Sequence, residues 1–234
     1  MDSDSGEVHA IVFDLDGTLA DTEQLHFDTF NEVLGTDGIE LTAADYFSRL
    51  IGYSDHDCFS QVLREHRRSA SEARINDLIA RKTALYQAAA TQHEIIYPGA
   101  AEFVQHCAQR FPLALVTGTL RVEAELILRK AQLRYLFAAI VAAEDVARGK
   151  PAPDGFKLAL ARLGLVHPGR SLAAAECLAI EDSPAGIDAA RGAGMRVLAV
   201  AQTVAPARLA SAHLIRRSLA DTDLNDVLRQ LAVM

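Results

Sequence analysis

Short runs of apolar residues alternate, in the second half of the chain, with longer stretches whose apolar positions recur every three to four residues. The runs at His9–Phe13, Leu113–Thr117, Ala139–Ala143, Cys177–Ile180 and Arg196–Val200 have strand length and predict buried strands. The stretches AAEFVQHCAQR, RVEAELILRKAQL, DGFKLALARLGL and PAGIDAARGAG have helical spacing. Strands and helices in alternation predict an α/β fold, a parallel sheet with helices on both faces.

The first strand breaks this rhythm, because about 90 residues separate it from the next and all of them read as helix. That is too long for a simple crossover. Helices are expected at Glu23–Leu34, Thr42–Leu50, His56–Glu65 and Ser71–Ala90, the last rich in Ala, Leu, Arg and Lys. The sequence therefore predicts a parallel-sheet core interrupted after its first strand by an all-helical insert, which ends at a hinge near Tyr97-Pro98-Gly99.

Composition narrows the partners. With 50% hydrophobic and 23% charged residues in 234, the chain has ample material for a core. A net charge of −8 and a pI near 5.5 give no basic field to recruit nucleic acid or an acidic membrane surface. The longest membrane candidate, Tyr135–Ala143, is only strand-sized. The start, MDSDSGE, is polar and acidic and reads as a frayed tail rather than a secretory signal. Cys58, Cys107 and Cys177 are odd in number and widely spaced, which fits small buried thiols in a reducing, cytoplasmic setting. Monomer and dimer fit the sequence equally.

In an open parallel sheet, ligands gather outside the carboxyl ends of the strands, so the polar residues just past each apolar run carry the interest. Asp14 and Asp16 follow the first strand, at positions i and i+2 that point to one side of an extended chain; Gly17 then permits a turn and Thr18 offers a hydroxyl. Thr117-Gly118-Thr119 follow the second, suited to phosphate oxygens, and Glu181-Asp182 follow CLAI. Lys150 sits in the stiff turn RGKPAPD, where Asp154 is placed to cap the next helix. Such carboxylate density calls for a hard cation, Mg²⁺ above all, and the set suits phosphoryl transfer: one aspartate attacks, its neighbour moves a proton, metal and lysine neutralise charge.

DLDGTL, the Thr117 loop, GKPAPDGF and EDSPAGI, in this order at strand ends, resemble the four motifs of the haloacid dehalogenase-like hydrolase superfamily. The likeness is to its helical-cap members, the β-phosphoglucomutase-like and CbbY-like phosphatases, and spans nearly the whole chain. It implies a Rossmann-like core over residues 7–20 and 97–234 with a helical cap inserted over 21–96, and it implies Asp14 as nucleophile, Asp16 as general acid/base, and Thr117, Gly118 and Lys150 as phosphate binders. Mg²⁺ would be held by Asp14, the Asp16 carbonyl and Asp182, with Glu181 at or near it. Dehalogenating members lack the second aspartate, so Asp16 argues against carbon–halogen cleavage. His26, in ADTEQLHFDTFNEVL, is a candidate to reach the site from the cap, against its reading as a half-buried helix histidine. Arg121 is a candidate for a distal substrate anion, against a solvent-facing one.

The implied enzyme is a Mg²⁺-dependent phosphatase acting on a small phosphorylated metabolite, a sugar phosphate or similar phosphomonoester. A sugar phosphomutase is the alternative. True β-phosphoglucomutases carry cap cations where Ile51 and Asp55 stand here, and a lysine where Leu120 stands, which counts against it; Arg49 and Arg121 are the remaining candidates to replace them. A non-catalytic phosphate-binding protein is disfavoured by the intact set Asp14, Asp16, Lys150 and Asp182.

Overall fold

The computed structural model describes residues 7–92, 95–166 and 172–234; of the acidic start, expected to be a frayed tail, all but Glu7 lies outside the described residues. The chain runs from β1 (Ala10–Phe13) into α1 (Glu23–Gly35), α2 (Ala43–Asp45), α3 (Asp55–Glu65) and α4 (Glu72–Ala90). It then alternates through α5 (Ala100–Ala108), β2 (Leu113–Val116), α6 (Arg121–Lys130), β3 (Phe137–Val141), α7 (Asp154–Val166), β4 (Cys177–Glu181), α8 (Pro184–Gly192), β5 (Arg196–Val200), β6 (Leu214–Arg216) and α9 (Leu224–Leu231).

All six strands pair in parallel in the order β3-β2-β1-β4-β5-β6. Sequence order reverses direction beside β1, which opens a crevice at the carboxyl ends of β1 and β4. Alternate residues sort the two faces. Ile11, Phe13, Leu115 and Ile180 pack with Val104 of α5, Ile127 of α6 and Val227 of α9. Ala10, Val12, Ala114 and Ala179 face Phe156 of α7 and Ile187 of α8. Alanines dominate that second face, and small side chains let α7 and α8 approach the strands.

The expected strands form, with one shift. β3 starts and ends two residues early, because Ile140 and Val141 register with Leu115 and Val116 and release Ala142 and Ala143 from the sheet. Two elements had no legible signal: β6 is three residues long, and α9 shows only a thin stripe, Leu224, Val227 and Leu231, among polar neighbours. Thr42–Leu50 is not one regular helix either; α2 widens into a π-helical turn over Tyr46–Leu50, where the Ile51 N–H closes on the Tyr46 carbonyl at 3.2 Å before the chain turns at Gly52.

The segment from α1 to α4 builds a core of its own from Phe30, Leu34, Leu50, Phe59, Leu63 and Leu78. It is tied to the sheet by two strands of chain lying side by side. Asp21 N–H donates to Ile95 O (2.7 Å), Tyr97 N–H donates to Leu19 O (3.0 Å), and Ala20 bridges Ile96. No helix of the described residues is long and apolar enough to cross a membrane.

Candidate active site

β1 delivers Asp14 to the crevice, with its N–H bonded to Ile180 O of β4 at 2.9 Å. The chain then folds back at once, Gly17 N–H donating to Ala20 O at 2.7 Å. Gly17 has φ of +78°, and a Cβ there would lie 2.1 Å from an Asp182 carboxylate oxygen, so no other residue fits this turn. Lys150 Nζ, itself buried, stands 2.5 Å from Asp14 Oδ1 and 2.5 Å from Glu181 Oε1. The other Glu181 oxygen accepts from Asp182 N (3.1 Å), Ser183 N (3.3 Å) and Ser183 Oγ (3.2 Å), which fixes the carboxylate that orients the lysine. Asp182 accepts from the Thr203 hydroxyl.

These charges strain one another. Burial, then Glu181, push the Asp14 carboxyl well above the usual range against the pull of Lys150; burial and Glu181 do the same to Asp182. Asp14, Glu181 and Asp182 each bring an oxygen within 4.8 Å of the others, all buried. Three buried carboxylates facing one lysine leave negative charge uncompensated, and an all-oxygen donor set of this size fits a hard divalent cation.

The Asp16 side chain turns the other way. Its Oδ1 accepts from Thr22 Oγ1 (2.6 Å) and lies 3.1 Å from His26 Nε2; its Oδ2 accepts from Thr119 Oγ1 (2.5 Å) and Thr117 Oγ1 (3.1 Å). Although burial opposes it, His26 and the hydroxyls hold this carboxyl far below the ordinary range. Behind His26 stands Lys82 of α4, with Nζ 2.8 Å from His26 Nδ1. An ammonium only donates, so Nδ1 accepts and the ring proton sits on Nε2, aimed at Asp16. Lys82 is fully buried, 2.9 Å from Asp55 and 3.5 Å from Glu123 of α6. Despite burial, Asp55 and Glu123 raise it above the usual lysine range. Glu123 is itself pushed up to about 8 by burial, with Lys82 opposing.

Glu23 closes the far wall, accepting from Tyr46 Oη at 2.8 Å. Burial, then Asp16, push its carboxyl up to about 8, against an ordinary value of 4.5. The folded state therefore keeps this proton where the unfolded chain has lost it, so stability is full below about pH 4.5 and falls as pH rises toward 8. Glu23→Gln is expected to remove that fall, about 1.4 kcal/mol per pH unit at most. Thermal melts from pH 5 to 9 check it; parallel decline in both proteins would refute the assignment.

Asp14, Asp16, Gly118, Lys150 and His26 all line one cavity, together with Glu23, Tyr46, Tyr53, Asp55 and Thr119. Thr117 lies beside it, its hydroxyl spent on Asp16, and Gly118 lies against the Tyr53 carbonyl. Arg121 is not brought in: its guanidinium is held by Asp145 and the Ile140 carbonyl. Sequence reasoning missed Thr22, Glu23, Lys82, Asp55 and Glu123, and it read Thr119 as a hydroxyl for phosphate where the structure has it donate to Asp16. Thr22 and Glu23 could have been found, because they sit in the ADTE stretch just past the first motif.

Residues 11–200 match the model of the haloacid dehalogenase-like hydrolase family. The chain belongs to that family. Among haloacid dehalogenase-like relatives, it is 34% identical over 199 residues to Protein CbbY of Rhodobacter capsulatus, covering 82% of this chain and 85% of that one. It is 32% identical over 185 residues to the fructose-1-phosphate phosphatase YqaB of Escherichia coli, covering 79% and 92%. The crystal structure of β-phosphoglucomutase from Clostridium difficile superposes with a TM-score of 0.85 over 96% of this chain and 97% of that one; at 22% identity this is likeness of fold.

Proposed function

We propose that the protein is a Mg²⁺-dependent phosphatase that hydrolyses a small phosphorylated metabolite, a sugar phosphate or similar phosphomonoester, through an aspartyl-phosphate on Asp14. The observation that carries this reading is the buried set of Asp14, Lys150, Glu181 and Asp182 at the ends of β1 and β4, with Lys150 at 2.5 Å from two of the acids. The phosphatase relative adds support.

Asp14, the Asp16 carbonyl and Asp182 would hold the ion, which when bound supplies positive charge beside the transferring phosphoryl group. Asp14 attacks phosphorus, and Lys150 neutralises charge on the phosphoryl oxygens. Asp16 is ionised in this arrangement, the form that takes a proton from the water that cleaves the acyl phosphate. To protonate the leaving oxygen it must first gain a proton, which a phosphate dianion at Asp14 favours by repulsion. Thr22, Thr117, Thr119 and His26 hold it between the two tasks.

A mutase must also grip a second phosphate, and the cap-side wall is poor in cations. Ile51 and Asp55 stand at its loop, Lys82 is committed to Asp55 and His26, and Arg49 is paired with Glu65 at 2.7 Å and Asp45 at 3.3 Å. Hydrolysis is therefore favoured. Phosphate release from a panel of sugar monophosphates is expected with Mg²⁺ and not with EDTA. Conversion of β-glucose 1-phosphate to glucose 6-phosphate with a bisphosphate primer, without net release, would replace this reading by the mutase.

A further inference from the structure

The cavity between insert and sheet has a volume of about 20 Å³, room for roughly one water. A phosphorylated metabolite cannot enter or leave it in this arrangement, so the insert must swing away in each turnover, an inference that rests on the phosphatase reading. Of the polar contacts between insert and core among the described residues, which also include Lys130 Nζ to the Ala90 and Thr91 carbonyls, three at the cavity and its rim break when it does. His26 to Asp16 and Lys82 to Glu123 are buried. The third is at the rim: exposed Arg208, on the Pro206–Leu209 turn after β5, donates from Nη1 to Phe47 O (2.8 Å) and from Nη2 to Ser48 O (2.9 Å).

Those two carbonyls belong to the π-helical turn over Tyr46–Leu50. Tyr46 O is met by the Ile51 N–H and Leu50 O by the Tyr53 N–H, at 3.2 and 3.1 Å. The chain then turns away at Gly52, and Phe47 O and Ser48 O are met by a guanidinium from the opposite side of the cleft. A cation suits the negative end of a helical turn, and the planar fork of arginine suits two neighbouring oxygens. The turn matters because it leads directly into the loop that roofs the cavity. Gly52 has φ of +82°, and a Cβ there would lie 2.6 Å from Ser183 Oγ, so this loop is pressed onto the end of β4; the next residue, Tyr53, lines the cavity. The near end of Arg208 is equally fixed, since its neighbour Leu209 is wholly buried.

We propose that Arg208 is a positioning residue that caps the Tyr46–Leu50 turn across the cleft and so holds the Gly52–Ser54 loop closed over the reacting groups. Because the guanidinium is exposed, it rehydrates when released, and the contact biases closure without locking it. Arg208→Ala is expected to raise KM for a phosphomonoester about 5- to 10-fold with kcat unchanged or higher, and Arg208→Lys to fall between. Amide hydrogen exchange supplies a readout that needs no turnover. In Arg208→Ala, segment 46–54 should exchange at least about 5-fold faster than in the wild type, while β1 and β4 exchange alike in both. Exchange of 46–54 at the wild-type rate overturns the proposal. Absence of phosphate release from any ester by the wild type would instead sink the phosphatase reading, and the exchange experiment would still decide the role of Arg208.

Discussion

Asp14→Asn is expected to abolish phosphate release, with kcat lower by at least about 10⁴-fold. An amide is a poor nucleophile toward phosphorus, and nothing else in the cavity stands where Asp14 stands, 2.5 Å from the Lys150 ammonium. Stability should move the other way. Without a bound cation, burial and Glu181 raise the Asp14 carboxyl well above its usual range against the pull of Lys150, so ionising it costs the fold. Its folded value lies above its unfolded one, which means that stability is full at low pH and is lost as pH rises through the folded value. The asparagine variant escapes that loss, and its melting temperature in EDTA should exceed that of the wild type at pH 8. Mg²⁺ should reverse the ranking: the wild type gains about 2.7 kcal/mol at 100 times the dissociation constant, and the variant, short of one ligand, gains less. Calorimetry with and without Mg²⁺, beside a phosphate assay, reads both effects. A variant that retains turnover would exclude Asp14 as nucleophile.

Lys82→Met has the second largest expected effect. Methionine fills the apolar path of the side chain between the Phe30 and Tyr86 rings, but it leaves Asp55 and Glu123 buried without a cation. Breaking a buried pair by removing one partner costs about 3–5 kcal/mol. His26 Nδ1 also loses its donor, so the ring no longer has one preferred tautomer and its hydrogen bond to Asp16 becomes intermittent. The expected result is a drop in kcat of roughly 10- to 100-fold, measured well below the melting temperature. The double variant Lys82→Met/Glu123→Gln separates the two consequences. Taking away one stranded charge should recover part of the stability and none of the kcat. Full recovery of kcat would mean that the lysine acts only as a structural counter-ion.

The contrast between Lys150 and Lys82 shows what the sequence could reveal. Lys150, whose ammonium stands 2.5 Å from Asp14 and from Glu181, is framed by glycine and proline in a short turn before α7. That turn belongs to one of the four motifs that carry the family resemblance, so the lysine could be picked out. The same holds for Asp14, Asp16 and Asp182, each at or just past an apolar run. Lys82 sits in the middle of a helix rich in Ala, Leu, Arg and Lys, where a lysine reads as solvated surface. Its burial is decided by Glu123 and Asp55, far along the chain on other helices. Arg121 fails for the mirror-image reason: it stands beside the Thr117 loop, but Asp145, 24 positions on, draws its guanidinium off the cavity. Local spacing thus located the strand-end carboxylates and Lys150, while the residues that hold Asp16 in place depend on how the helices dock.

The paired connectors at Leu19–Asp21 and Ile95–Tyr97 have a mechanical meaning. Two attachment points lying side by side leave the helical insert one easy degree of freedom, rotation about the line through them, and resist twist and sliding. Asp16 sits three residues before Leu19 and bridges Ala20, the middle residue of one of these connectors. A rotation that carries the Gly52 loop a long way at the rim moves Thr22 hardly at all, so the hydroxyl 2.6 Å from Asp16 can stay in place while the distant contacts come and go. On the proposed phosphatase reading, an insert that opens for its cargo is thus geared so that its smallest displacement falls beside Asp16, the group assigned to proton transfer.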